Sequence, residues 1–230
     1  MSAPGPRGHA LLRIVAAVAV TLVAGALVVA MLGVPSPTTR LALAVDARMG
    51  HSGVNHPVTA VLLNFRAYDT LLEIAVLLIA VIGALALHQA GGDEATPPAA
   101  VAQPVLGGLL HLLVPLLVLL AAYLLWAGAH GPGGAFQAGA ALAAVGVLLR
   151  LAGRWTPVLP PPAHARAGLL VGFAVFLAVA IGAALAGGAL LEYPRVWAGA
   201  LILLVETALA VSIGMMLVGF FIGAPTSQRR

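Results

Sequence analysis

The sequence predicts an all-α integral membrane protein of about six transmembrane helices, two plus four, with both termini cytoplasmic. Three observations carry this. Of 230 residues, 62% are hydrophobic and 8% charged, whereas a soluble domain carries about 25% charged residues to face water. Mean hydropathy is +1.09. Six apolar runs approach the ~20 residues that a helix needs to cross a ~30 Å hydrocarbon core.

The runs are Leu11–Val34, Asp69–His88, Val105–Ala127, Gly134–Leu151, Ala167–Gly187 and Val196–Ile222. The first follows Arg7 and Arg13 and invites a signal-peptide reading. Its apolar stretch exceeds the usual ~7–15 residues of a signal core, and no small-x-small cleavage site follows, so it reads as an uncleaved helix. Pro57 suits the first turn of a helix, where its missing N–H is not needed. A short helix over Pro57–Asn64 at the outer interface is therefore expected to lead into the second span. Pro132 and its neighbouring glycines break the chain between the third and fourth spans. The fourth span is the shortest and the richest in Gly and Ala.

Between the second and third runs, AGGDEATPPAAVAQP (Ala90–Pro104) has linker composition. This divides the chain into a two-helix segment (1–90), a linker (91–104) and a four-helix segment (105–230). A second proline-rich stretch, Thr156–His164, reads as a cytoplasmic connector. With six spans and the N-terminus inside, Arg7, Arg13, Arg150, Arg154, Arg166, Arg229 and Arg230 lie inside, against Arg40, Arg48, Arg66 and Arg195 outside. Basic residues favour the cytoplasmic side.

Composition removes several function classes. There is no cysteine, which excludes disulfides, thiolate nucleophiles and cysteine-ligated clusters. All eleven formal cations are arginine, which excludes lysine Schiff-base chemistry. The pI near 10.7 does not signal nucleic-acid binding, because the arginines are scattered at the ends of apolar runs. The histidines fall singly, without ligand spacing, so no metal site is expected. The glycines around Pro132 match no phosphate-binding pattern.

The polar residues inside apolar runs carry the information, since a charge at mid-bilayer costs about 2.5–3.5 kcal/mol on insertion scales. Asp69 and Glu73 are spaced i,i+4 and share a helical face, with Arg66 on nearly the same face. They are candidates for an ion path; the alternatives are a solvated helix end for Arg66 and Asp69, and a structural pair with Arg66 for Glu73. Glu206 stands about ten residues into the last run without a charge near it. A buried carboxyl there either exchanges a proton or ion where water reaches it, or serves as a packing hydrogen bond. His130 is the one titratable group of the Pro132 turn and is a lesser candidate. Gly133, Gly134 and Gly139 fall where small residues allow close helix packing.

Two segments resemble known families. NHPVTAVLLNFRAYDTLLEIAVLLIA (Asn55–Ala80) resembles a signature in the C-terminal part of the large A subunit of Mrp-type Na+/H+ antiporters. The same signature occurs in the E subunit of membrane-bound hydrogenases; Asn64, Phe65, Arg66, Asp69, Thr70 and Glu73 fall on it. GAHGPGGAFQAGAAL (Gly128–Leu142) resembles the signature of the antiporter B subunit (the MnhB family). Leu201–Gly223 is similar to that subunit's last helix, where an acid stands at the place of Glu206. Ala129 occupies the family histidine position, with His130 displaced by one, and Ala135 and Ala138 replace family glycines. The resemblance implies an A-tail/B fusion in a cation/proton antiporter of the plasma (inner) membrane. Its implied partners are large A- and D-type and small C-, E-, F- and G-type subunits, with Na+ and H+ as the ions, no cofactor, and no enzymatic activity of its own. A membrane-arm subunit of a hydrogenase or respiratory complex, and a purely structural scaffold, are the alternatives.

Overall fold

A computed structural model describes residues 6–34, 41–90, 104–155, 161–186, 188, 190–194 and 196–223, the side chains of 6–13, 16, 104 and 105 excepted. Most of the expected linker and the first part (156–160) of the Thr156–His164 connector lie outside the described residues, as do Gly187, Arg40, Arg195, Arg229 and Arg230. All regular structure among the described residues is helical. The chain forms two units, Met1–Ala44 and Val45–Arg230.

The first unit contains α1 (Pro6–Leu32), 27 residues long and therefore about 40 Å in length. Its single hydroxyl, on Thr21, donates back to the Ala17 carbonyl at 2.9 Å, so that hydroxyl is satisfied within the helix. The short α2 (Leu41–Asp46) straddles the division between the units.

The second unit begins with a 3₁₀ turn (Met49–His51) and α3 (Pro57–Ala60), followed by a π-helical turn (Val61–Phe65). Five longer helices follow: α4 (Ala67–Ala90), α5 (Pro104–Ala127), α6 (Ala135–Leu151), α7 (Ala163–Leu185) and α8 (Ala198–Gly223). The expected helix at Pro57–Asn64 is present in substance, with Pro57 in its first turn. It changes pitch at Val61 and stops at Arg66, whose N–H reaches back to the Val61 carbonyl at 2.8 Å. Arg66 has φ −131° and ψ 34°, outside helical geometry. The Thr70 hydroxyl crosses the break and donates to the Leu62 carbonyl at 2.6 Å.

At the centre stands α8. Ile202, Val205, Leu209, Ile213 and Met216 are fully enclosed, as expected of a helix apolar on all sides. Around it pack α4, α6 and α7, while α5 rests mainly on α6. The helices approach closely because small residues face the contacts, which is how helices associate in lipid. A Cβ on Gly139 would stand 2.8 Å from Ile213 Cγ2, one on Gly172 2.7 Å from Ser212 Cβ, and one on Gly219 2.6 Å from Val81 Cγ2. The Ser212 hydroxyl, itself buried, donates to the Leu169 carbonyl of α7.

Among the described residues four helices are long and apolar enough to cross a membrane: α4, α5 from Leu106, α7 and α8. The whole of α6 is shorter. With 17 residues, α6 is about 25 Å long. Packing register explains its length. Gly139 lies against Ile213 and Gly146 against Val218, so α6 runs parallel to α8. Carried back, this register sets the start of α6 beside Glu206, well inside the bundle.

Replacing Gly139 with Val is predicted to overpack the α6–α8 contact and cost about 1–3 kcal/mol. Gly83, whose added Cβ would meet nothing within 4 Å, is the control: Gly83→Ala is predicted to be neutral or stabilising by up to about 1 kcal/mol. Thermal unfolding midpoints in detergent check both; equal midpoints for the two variants would contradict the packing assignment.

Candidate functional site

The site forms where the start of α6 meets the side of α8. The chain leaves α5 through Gly128–Gly134, and the Leu124 carbonyl receives the N–H groups of Gly128 (3.1 Å) and Gly134 (2.8 Å). These contacts fold the loop tightly onto the last turn of α5. A Cβ on Gly128 would stand 2.7 Å from Gly134 Cα, and one on Gly133 would run into the Leu124 carbonyl. Gly134 has φ +113°, a conformation that side-chain-bearing residues rarely adopt.

Gly134 occupies the N-cap position of α6 without a side chain to cap it. The first N–H groups of a helix lack partners in their own helix. Glu206 of α8 supplies one: its carboxylate accepts the Ala135 N–H. Its Oε1 lies against the Gly134 backbone, where an added Cβ would approach it to 2.9 Å. Glu206 Oε2 is buried and has no hydrogen-bond partner among the described residues. The residue as a whole is 3% exposed. The carboxylate thus stands at a helix N-terminus, where negative charge is favoured.

A second layer supports the loop. The N–H groups of Asn55 and His56 both donate to the Ala129 carbonyl, at 3.0 and 3.2 Å. The buried Thr59 hydroxyl donates to the Gly128 carbonyl. Asn64 donates to the Ser52 carbonyl at 2.9 Å, and Gly53 lies against Ala198 and Gly199 at the start of α8. The two segments singled out in the sequence, Asn55–Ala80 and Gly128–Leu142, therefore touch through their backbones. Ala129 supplies the carbonyl through which they meet.

The other candidates lie elsewhere. Arg66 and Asp69 form an ion pair with both side chains more than half exposed. Glu73 is exposed on the outward face of α4, beside exposed Leu72 and Val76, and has no ion pair among the described residues. Val81 and Ala84 of α4 lie against Gly219 and Gly223 of α8. Extended back, that register sets Asp69 near the level of Thr207 and Glu73 near that of Val211. These acids share roughly the depth of Glu206 but face away from the core that buries it. His130 is exposed at the loop surface, its ring centroid 5.8 Å from that of Trp126. Among the described residues, no three His, Asp or Glu side chains converge as metal ligands.

Sequence reasoning did not identify the Ala135 N–H, Thr59 or Tyr193. Thr59 lies inside a segment already singled out, and a hydroxyl there is a readable signal. Tyr193, just before α8, is buried with no partner for its hydroxyl among the described residues; burial pushes its phenol up to about 12, so it stays neutral at physiological pH. The Ala135 N–H is a contact between helices and leaves no mark in local sequence.

A helical multi-pass membrane protein with a broken helix pair around a buried acid is the class that this fold and site define. The sequence model described as a domain related to the MnhB subunit of Na+/H+ antiporter matches residues 105–226. The chain belongs to that MnhB-related family. No curated protein matches it in sequence. Two solved structures are similar. One is a chain of the membrane-bound sulfane sulfur reductase, an archaeal respiratory membrane complex, with TM-score 0.67 and 24% identity over 93% of this chain and 97% of that one. The other is a chain of the Mrp complex from Dietzia sp. DQ12-45-1b, with TM-score 0.60 and 25% identity. That likeness covers 100% of this chain and 27% of the Mrp chain.

Gly134→Ala is predicted to destabilise the protein by about 1–3 kcal/mol, the cost of a strained backbone residue, with a further push on Glu206 Oε1. Glu206→Leu is predicted to cost about 1–3 kcal/mol by leaving the Ala135 N–H unsatisfied. In both variants, amide exchange in the first turn of α6 should quicken relative to the rest of the helix. Unchanged protection there would contradict the cap.

Proposed function

We propose that this chain is a membrane subunit of a multisubunit Mrp-type monovalent cation/proton antiporter, with Glu206 part of the ion or proton path. The observation that carries the reading is the Glu206 carboxylate: buried in α8, held through one oxygen at the start of α6, and without a partner at the other. Family membership and the likeness to the Mrp complex support the setting. In this reading the partners are large A- and D-type and small C-, E-, F- and G-type subunits in the plasma membrane, with both termini cytoplasmic. The coupled ions are Na+ and H+.

The likeness to about a quarter of a longer Mrp chain supports reading residues 1–90 and 105–230 as an A-tail-like and a B-like portion joined by the 91–104 linker. Arg66, Asp69 and Glu73 face outward on α4. We assign them to a stretch of the path whose other wall belongs to a neighbouring subunit; a carboxylate at that depth is costly against lipid alone. His130, exposed on the loop, has the lesser part in this scheme. Gly133, Gly134 and Gly139 serve it by bringing backbones together around Glu206.

A membrane-arm subunit of a redox-driven complex is the second reading. In its favour is the near-complete mutual coverage with a chain of the archaeal respiratory complex, a likeness of fold. The metal centres would then sit on other subunits.

Glu206→Gln separates chemistry from architecture. The amide oxygen still accepts the Ala135 N–H, but the side chain cannot ionise. Proton-driven Na+ efflux from vesicles containing the complex is expected to fall by at least about tenfold, roughly 1.4 kcal/mol in the limiting barrier, with an unfolding midpoint near that of the parent. Normal exchange in this variant would remove Glu206 from the path and leave it a cap.

A further inference from the structure

Away from Glu206, a cavity of about 660 Å³ opens between the C-terminal parts of α6 and α8 and the first turns of α7. Its volume falls within the ~300–1,000 Å³ common for ligand pockets. Leu142, Val145, Leu149, Leu169, Met215 and Val218 are among its walls, an interior without charge. The lining changes character near the loop side, where Trp155, Pro161, Pro162 and His164 contribute.

Three cations are covalent neighbours of that lining: Arg150 follows Leu149, Arg154 precedes Trp155, and Arg166 follows Ala165. Two are positioned by the backbone. Gly153, with φ +67°, turns the chain at the end of α6 so that the N–H groups of Arg154 and Trp155 both return to the Leu149 carbonyl, at 2.9 and 3.2 Å. Arg166 donates through Nε to the Pro161 carbonyl at 2.9 Å, which anchors the guanidinium beside the mouth. No aspartate or glutamate occurs between Gly134 and Gly188. The start of α7 adds to the positive field, since Pro162 at its N-cap offers no side-chain acceptor to the first N–H groups.

An apolar interior whose tryptophan-bearing mouth has arginines next to its lining residues in the chain, one of them bonded to Pro161 of that lining, suits an amphipathic anion. A polar metabolite would find no partners on the walls, and a neutral apolar molecule would leave the arginines unused. Basic pockets between transmembrane helices bind anionic lipid headgroups by this chemistry. We propose that the cavity holds one acyl chain of an anionic phospholipid, whose phosphate is bound by Arg154 and Arg166. The lipid would fasten the α6–α7 connection to α8 at the end of the bundle opposite the Glu206 cap.

Photo-crosslinking tests this on the protein purified with its accompanying subunits and placed in phosphatidylcholine vesicles. The probes are phosphatidylglycerol and phosphatidylcholine, each with a diazirine in one acyl chain. Phosphatidylglycerol is expected to label peptides containing residues 142–149, 165–169 or 211–218 at least about fivefold more than phosphatidylcholine. The paired substitution Arg154→Gln and Arg166→Gln should reduce that labelling by roughly fivefold per arginine. Ala165→Trp, which fills the cavity and keeps the arginines, should reduce it as well. Equal labelling by the two probes, labelling confined to other surfaces, or a crosslink showing another subunit's segment in the cavity would each overturn the proposal. Should a variant fail to assemble, the comparison of the two probes on the parent protein decides the matter alone.

Discussion

A single hydrogen bond between helices, from the Ala135 N–H to the Glu206 carboxylate, is the constraint around which the second unit is arranged. A helix that begins inside an apolar bundle must find acceptors for its first N–H groups. Gly134 has no side chain to offer, so the acceptor comes from α8. That requirement makes α6 short and ties its register to α8. It also calls for a residue that accepts a positive φ beside the carboxylate.

The cap has chemical consequences. A carboxylate at a helix N-terminus is held in place by the backbone rather than by a counter-charge. Its second oxygen has no hydrogen-bond partner among the described residues, and it is this oxygen that the proposed proton or cation exchange would use. Beneath it, α3 and the preceding turn clasp the Gly128–Gly134 loop through Asn55, His56 and Thr59, so the broken segment is rigidly seated. At about the same level, α4 begins after the break at Arg66. Two interrupted helices at one depth around an acid form the kind of irregular backbone that membrane proteins tolerate only where it is enclosed or lines a pathway.

Much of this was legible in the sequence. The helices lie within about five residues of the apolar runs, because runs of that length and apolarity admit little else in a bilayer. Glu206 stood out as an acid alone in an apolar helix, and Pro57 and Pro132 correctly marked the start of a helix and a break. Less legible was anything that depends on how helices face each other. The i,i+4 spacing of Asp69 and Glu73 says that they share a face; only packing reveals that this face points outward. Likewise Gly134 reads as a small packing residue, and its role beside the carboxylate appears only once α8 is in place. Ala129 drew notice as a departure from a family pattern, yet its importance lies in a backbone carbonyl that any residue would supply.

The central claim, that Glu206 keeps one oxygen on the α6 backbone while the other titrates, is tested most directly by infrared difference spectroscopy. Spectra of the purified complex at two pH values, with and without Na+, would be compared with those of Glu206→Gln. The account predicts a carboxyl band in the parent that responds to pH and to Na+ and is missing from the variant. Identical difference spectra from the two proteins would contradict it, and would leave Glu206 as a structural cap alone.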